Sequence, residues 1–146
     1  MIDGARILRN VSRRLVIELA VVVLLAGFPI DFPRDVSAGR AWSFLFRHPS
    51  ILIHAVIGAL ALTEAVIFVV RTTSARRPRL LILSCLGLFF VLVAFGAGTE
   101  YVSGGQHDLA LNLMTLGWVA ALVVYIVGWV LGRRGMRAER PRVAGQ

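Results

Sequence analysis

GAGTEYVSGGQHDLALNLMTLG, residues 96–117, is the polar interruption between two long apolar runs. It carries His107, Asp108 and Asn112 into the last of those runs. Two segments back, His54 enters an earlier apolar run. Any chemistry is expected where these histidines face each other.

Working outward, 146 residues at 58% hydrophobic and a mean hydropathy of +0.78 are too apolar for a soluble domain of this size. A bilayer-crossing helix takes roughly 17–25 apolar residues. Runs of about that length occur at about 15–30, 51–70, 80–97 and 107–131. With short loops they use nearly the whole chain. The expected architecture is all-α: an integral membrane four-helix up-down bundle forming a single transmembrane domain.

An isoelectric point near 11.5 suggests nucleic acid at first glance. The 16 basic residues, however, are all arginine, and 13 of them fall in three places. These are Arg6 to Arg14, Arg71 to Arg79, and Arg133 to Arg142, whereas Arg34, Arg40 and Arg47 are alone in the other loops. By the positive-inside rule the first three groups are cytoplasmic, so both termini are inside and residues 132–146 form a basic cytoplasmic tail. The charge is topological, and no nucleic-acid partner is expected. The absence of lysine and the Arg, Ala, Val, Leu and Gly bias suggest a GC-rich bacterial genome and a bacterial plasma membrane. Cys85 is alone, which excludes an intrachain disulfide or a CxxC site.

The first apolar run, Leu15–Ile30, follows a basic head and ends among Pro29 and Pro33. That pattern also describes a signal peptide, with Val36-Ser37-Ala38 as a cleavage site. The run is longer than a usual signal core, and its removal would leave an odd three spans, so it reads as a helix. Arg14 and Glu18 are spaced to meet on one face of it. Asp31 to Ser50 reads as an external loop whose Trp42, Phe44 and Phe46 anchor at headgroup level. Pro49 suits the first turn of the second span. His54 lies about one turn inside, and Gly58, Ala61 and Ala65 continue down a small-residue face suited to close helix packing. Glu64 is ten residues further on, roughly 15 Å deeper and near the bilayer midplane. There it is either a functional group or a neutral acid bonded to Ser84 or Thr115. Cys85 and the Phe89-Phe90 pair read as packing, and Trp129 beside Arg133 as an interface anchor.

Up-down threading makes spans two and four diagonal partners that begin on the same, external side. His54 and His107 are then positioned as two axial imidazoles for a haem iron, with Arg40 or Arg47 above to hold the propionates. Zinc or copper would want three or four clustered ligands. His48, His54, Glu100, His107 and Asp108 show no such spacing.

The pattern His54-x-x-x-Gly58, Gly96-x-Gly98, Gly105-Gln106-His107 and Ala110-Leu111 resembles one four-helix half of haem A synthase. It is also similar to small uncharacterised bacterial four-span membrane proteins. The resemblance covers about residues 15–131 and implies haem ligands on the second and fourth helices. Two departures stand beside it. Asn112 occupies the place of the ligand histidine after Ala-Leu, and His107 counts as roughly 13 Å shallower than His54 from the cytoplasmic arginines. With one half only, synthase activity is not implied.

Three functions follow. One is a haem b protein for electron transfer or haem handling. Another is a non-catalytic accessory or assembly subunit working with a membrane-protein partner or as a homo-oligomer. The third is proton-coupled transport through Glu64.

Overall fold

The computed structural model describes residues 4–26, 32–33, 36–74, 78–104 and 106–138, which form five helices and no strand. They are α1 (Gly4–Ala26), α2 (Ala38–Arg47), α3 (Pro49–Ser74), α4 (Pro78–Ser103) and α5 (Asp108–Ala138). Three of them, α3, α4 and α5, are long and apolar enough to cross a membrane. α1 does not qualify over its described length, because Arg6, Arg9, Arg13, Arg14 and Glu18 crowd its first two-thirds. The end of the first apolar run with its prolines, the arginines 76 and 77, and residues 139–146 lie outside the described residues.

The long helices pack in the cyclic order α1, α3, α4, α5 and back to α1. Residue pairs fix their directions. Arg14 lies by Glu64 and Val22 by His54, so α1 runs antiparallel to α3. Gly58 faces Trp118 and Phe68 lies by Tyr125, so α3 and α5 run parallel across the middle. Gly87 faces Tyr125 and Gly117 faces Ala94, which makes α4 antiparallel to α5.

Two glycines permit the close α4–α5 contact. A Cβ on Gly117 would stand 2.8 Å from the Ala94 backbone nitrogen, and one on Gly87 would stand 2.5 Å from the Tyr125 ring. Around this contact the core is Leu15, Leu19 and Val22 of α1, Ala61, Ala65 and Phe68 of α3, Val91 and Ala94 of α4, and Trp118, Ala121 and Tyr125 of α5. On α1, α3 and α5 these residues recur at three- and four-residue steps, the helical stripe that buries one face.

The segment read as an external loop contains α2. Ala41 and Leu45 sit one turn apart and are buried, packing with Val102 of α4 and with Phe32, Ile51 and Leu52. Arg40 and Arg47 are exposed. Trp42 anchors α2 by donating Nε1–H to Ser103 Oγ at 3.1 Å. α2 stops at His48, whose extended backbone (φ −108°, ψ 104°) is what a residue before proline favours. α3 then starts at Pro49. At the other hairpin Gln106 takes φ 64°, the left-handed region, and its side-chain amide donates back to Val102 O at 3.3 Å.

Smaller revisions follow from the same geometry. α5 continues through Gly132 as far as Ala138, so the basic tail begins as helix. Cys85, read as packing, is exposed on α4. Phe89 and Phe90 do meet edge to face, at 5.4 Å.

Candidate functional site

His54 is half-buried on α3 and turns toward α1, where its Nδ1 lies 3.1 Å from the Val22 carbonyl oxygen. That oxygen can only accept, so Nδ1 carries the proton and Nε2 is left as the ring's free lone pair. His107 has a different setting. It is exposed and precedes α5, and its carbonyl accepts from Ala110 and Leu111 N–H as the helix begins. The parallel register of α3 and α5 puts His54 level with the turn around Asn112 and Met114. His107 therefore lies roughly 9 Å further out along the helix axis. Asn112 is level with His54 but exposed on the outer side of α5. Trp118 fills the diagonal below, its ring 3.4 Å from where a Gly58 Cβ would be. Two imidazoles facing one another across α3 and α5 are not brought together. Arg40 and Arg47 lie on α2, and His48 stacks on Phe44 at 3.7 Å with Nδ1 donating to the Phe44 carbonyl.

The second group of chemistry-bearing residues is deeper. Arg14 of α1 reaches Glu64 of α3, Nη1 to Oε1 at 3.8 Å. Glu18, one turn along α1 from Arg14, lies within charge-interaction range of both Glu64 and Arg14. Its Oε2 is buried and has no hydrogen-bond partner among the described residues. Two carboxylates thus lie within charge range of one largely exposed guanidinium at the edge of the α1–α3 interface.

No known family, characterised protein or solved structure matches this chain. What the site can do rests on its own residues.

The partners proposed for Glu64 from sequence are otherwise engaged. Ser84 and Thr72 share a buried hydrogen bond of 2.8 Å, and Thr115 donates back to Leu111 O. Arg14, expected to meet Glu18 on one face of α1, interacts with it and also forms an ion pair with Glu64 across the helix interface. Among the described residues no group of three or more His, Cys, Asp or Glu side chains could hold a metal ion.

Among the described residues four further buried atoms lack a hydrogen-bond partner: Ser12 Oγ, Trp118 Nε1, Tyr125 Oη and Gln106 Oε1. None was marked by sequence as functional. The signal for Ser12 was present, since it continues the inward stripe of Leu15, Leu19 and Val22 at helical spacing. Nothing in the sequence singles out Trp118 or Tyr125 from ordinary aromatic core.

Proposed function

We propose that the protein is a proton-handling, multi-pass membrane protein whose working site is the Arg14–Glu18–Glu64 cluster. In this reading α1 crosses with α3, α4 and α5 as a four-span bundle of a bacterial plasma membrane. Both termini and the Ser74–Pro78 connection face the cytoplasm, because the arginines gather there. The carrying observation is the buried, unpartnered Glu18 Oε2 beside a second carboxylate. Ionisable groups inside an apolar span are costly and are kept where function needs them. With one guanidinium between two carboxylates, a single proton cancels the remaining charge. Binding and release of that proton is the elementary act of a proton-coupled transporter.

The test is proton flux in reconstituted vesicles carrying a trapped pH dye and an imposed pH gradient. Glu64→Gln is expected to lower uptake at least tenfold, with Glu64→Asp retaining part of it. Equal flux in wild type and Glu64→Gln would remove the proposal.

A second reading is haem b ligation, favoured by one feature of His54. Metal-binding imidazoles commonly donate one ring N–H to a backbone carbonyl and ligate through the other nitrogen. His54, with Nδ1 on Val22 O, is arranged that way. His107 does not complete the pair, so His54 alone carries this reading.

A further inference from the structure

Arg40 and Arg47, set over a haem by the sequence pattern, stand exposed on α2. Among the described residues no ion pair or hydrogen bond engages either guanidinium.

The level at which α2 lies follows from what it packs on. Its buried Ala41 and Leu45 cluster with Val102, in the last turn of α4, and with Ile51 and Leu52, where α3 begins. Trp42 is bonded to Ser103, the last residue of α4. α3 and α4 have 26 residues each, or roughly 39 Å of helix. The hydrocarbon core of a bilayer takes about 30 Å, and the headgroup regions bring the total to about 40–45 Å. The terminal turns of both spans therefore stand among headgroups, and α2 is fastened to those turns.

α2 is also divided along its length. At 3.6 residues per turn, Arg40 and Arg47 fall roughly 100–120° to one side of Ala41, stacked roughly 10 Å apart. Trp42 and Phe46 fall roughly 100–140° to the other side. Their rings lie 6.2 Å apart, and Phe46 is 64% exposed. Two turns before Phe46 on the same flank, a Cβ on Gly39 would meet nothing within 4 Å. A helix with one aromatic and one basic flank, held at this level, suits the boundary between headgroups and acyl chains. Guanidinium groups pair with phosphate oxygens through two parallel N–H···O bonds. The described acids at this end, Glu100 and Asp108, belong to the α4–α5 hairpin, where the Glu100 carboxylate lies against Gly104.

We infer that α2 is a phospholipid-binding element, in which Trp42 and Phe46 enter the headgroup boundary and Arg40 and Arg47 bind the phosphate of an anionic phospholipid. The inference stands apart from the proton-handling reading. It needs only that α3 and α4 cross a bilayer, whichever leaflet α2 meets. Two cations on one flank favour a lipid of net negative charge over a zwitterionic one, whose own ammonium offsets its phosphate. Each arginine near an anionic surface contributes roughly a fivefold preference.

The experiment places a fluorophore on Gly39→Cys in the full chain carrying Cys85→Ser, in phosphatidylcholine nanodiscs. Contact quenching is titrated with phosphatidylglycerol spin-labelled near its glycerol and, separately, with phosphatidylcholine labelled at the same place. Phosphatidylglycerol is expected to reach half-quenching at a mole fraction at least fivefold lower. Arg40→Gln with Arg47→Gln, both at exposed positions, is expected to bring the two lipids within twofold. Arg40→Lys with Arg47→Lys keeps the charge and is expected to keep most of the preference. Arg9→Gln with Arg13→Gln, on the exposed side of α1, is expected to leave it unchanged, which separates α2 from the arginine-rich end. Equal quenching by the two lipids in wild type overturns the inference, as does a preference that survives loss of both α2 arginines. Quenching by neither lipid places water or another protein over α2 and overturns it as well.

Discussion

At the scale of single residues, the decisive fact is which neighbour a polar side chain finds. Arg14 Nη1 and Glu64 Oε1 stand 3.8 Å apart, with the arginine side chain 70% exposed. Such pairs contribute about 0–1 kcal/mol, so stability does not explain why two helices carry these charges into an apolar pack. That His54 and Glu64 share one helix, ten residues apart, was legible in the sequence. Their partners were not. Arg14 and Glu18 are a good pair by local spacing, but packing α1 antiparallel to α3 offers Arg14 a second carboxylate that no local rule contains. His54 makes the same point, since its Nδ1 partner Val22 is 32 residues away. For the haem reading this argues a specific outcome. Protein expressed with haem available is expected to show the absorbance of high-spin haem held by one imidazole in wild type and His107→Ala, and to lose it in His54→Ala. Colourless wild-type protein would end that reading, and loss of colour in His107→Ala would restore a two-histidine site.

At the scale of elements, hydropathy found α3, α4 and α5 but set two ends short: α4 runs to Ser103 through the stretch read as a polar interruption, and α5 to Ala138. It did not find α2. A helix of 10 residues with Ala41 and Leu45 inward and Arg40 and Arg47 outward is too short to register as a span, and its Trp42, Phe44 and Phe46 read as interface anchors instead. How closely two helices approach was also hidden, since glycines occur on inner and outer faces alike. Gly117 and Gly96 separate the two cases. A Cβ at Gly117 meets backbone atoms of Ala94 at 2.8–3.0 Å, and backbone cannot rotate out of the way. A Cβ at Gly96 meets nothing within 4 Å. Gly117→Ala is therefore expected to destabilise the protein in detergent by about 1–3 kcal/mol through forced separation of α4 and α5. Gly96→Ala should leave thermal unfolding nearly unchanged. Equal melting temperatures for the two variants would mean that α4 and α5 pack less closely than described.

At the scale of the whole molecule, the question is how α1 lies relative to the bilayer. Three helices have the length and apolarity to cross, and α1, at 23 residues, lacks the apolarity over its described residues. Yet α1 packs antiparallel along α3 and against α5, with Leu15, Leu19 and Val22 completely buried between them. Arg14 stands level with Glu64, so the first half of α1 runs beside apolar turns of α3. Long arginine side chains can keep their guanidinium groups at the cytoplasmic headgroups while their stems lie along such a surface. In the proposed four-span topology the second half crosses toward Ser37 and α2. Single cysteines in a Cys85→Ser background measure this directly, because Asn10, Ser37 and Ser74 are all exposed. With a membrane-impermeant maleimide on intact cells, Ser37→Cys is expected to react, and Asn10→Cys and Ser74→Cys only after permeabilisation. Asn10→Cys reacting together with Ser37→Cys on intact cells would place both ends of α1 outside. Arg14, Glu18 and Glu64 would then have no apolar band to cross, and the proton-handling site would fall with the fourth span.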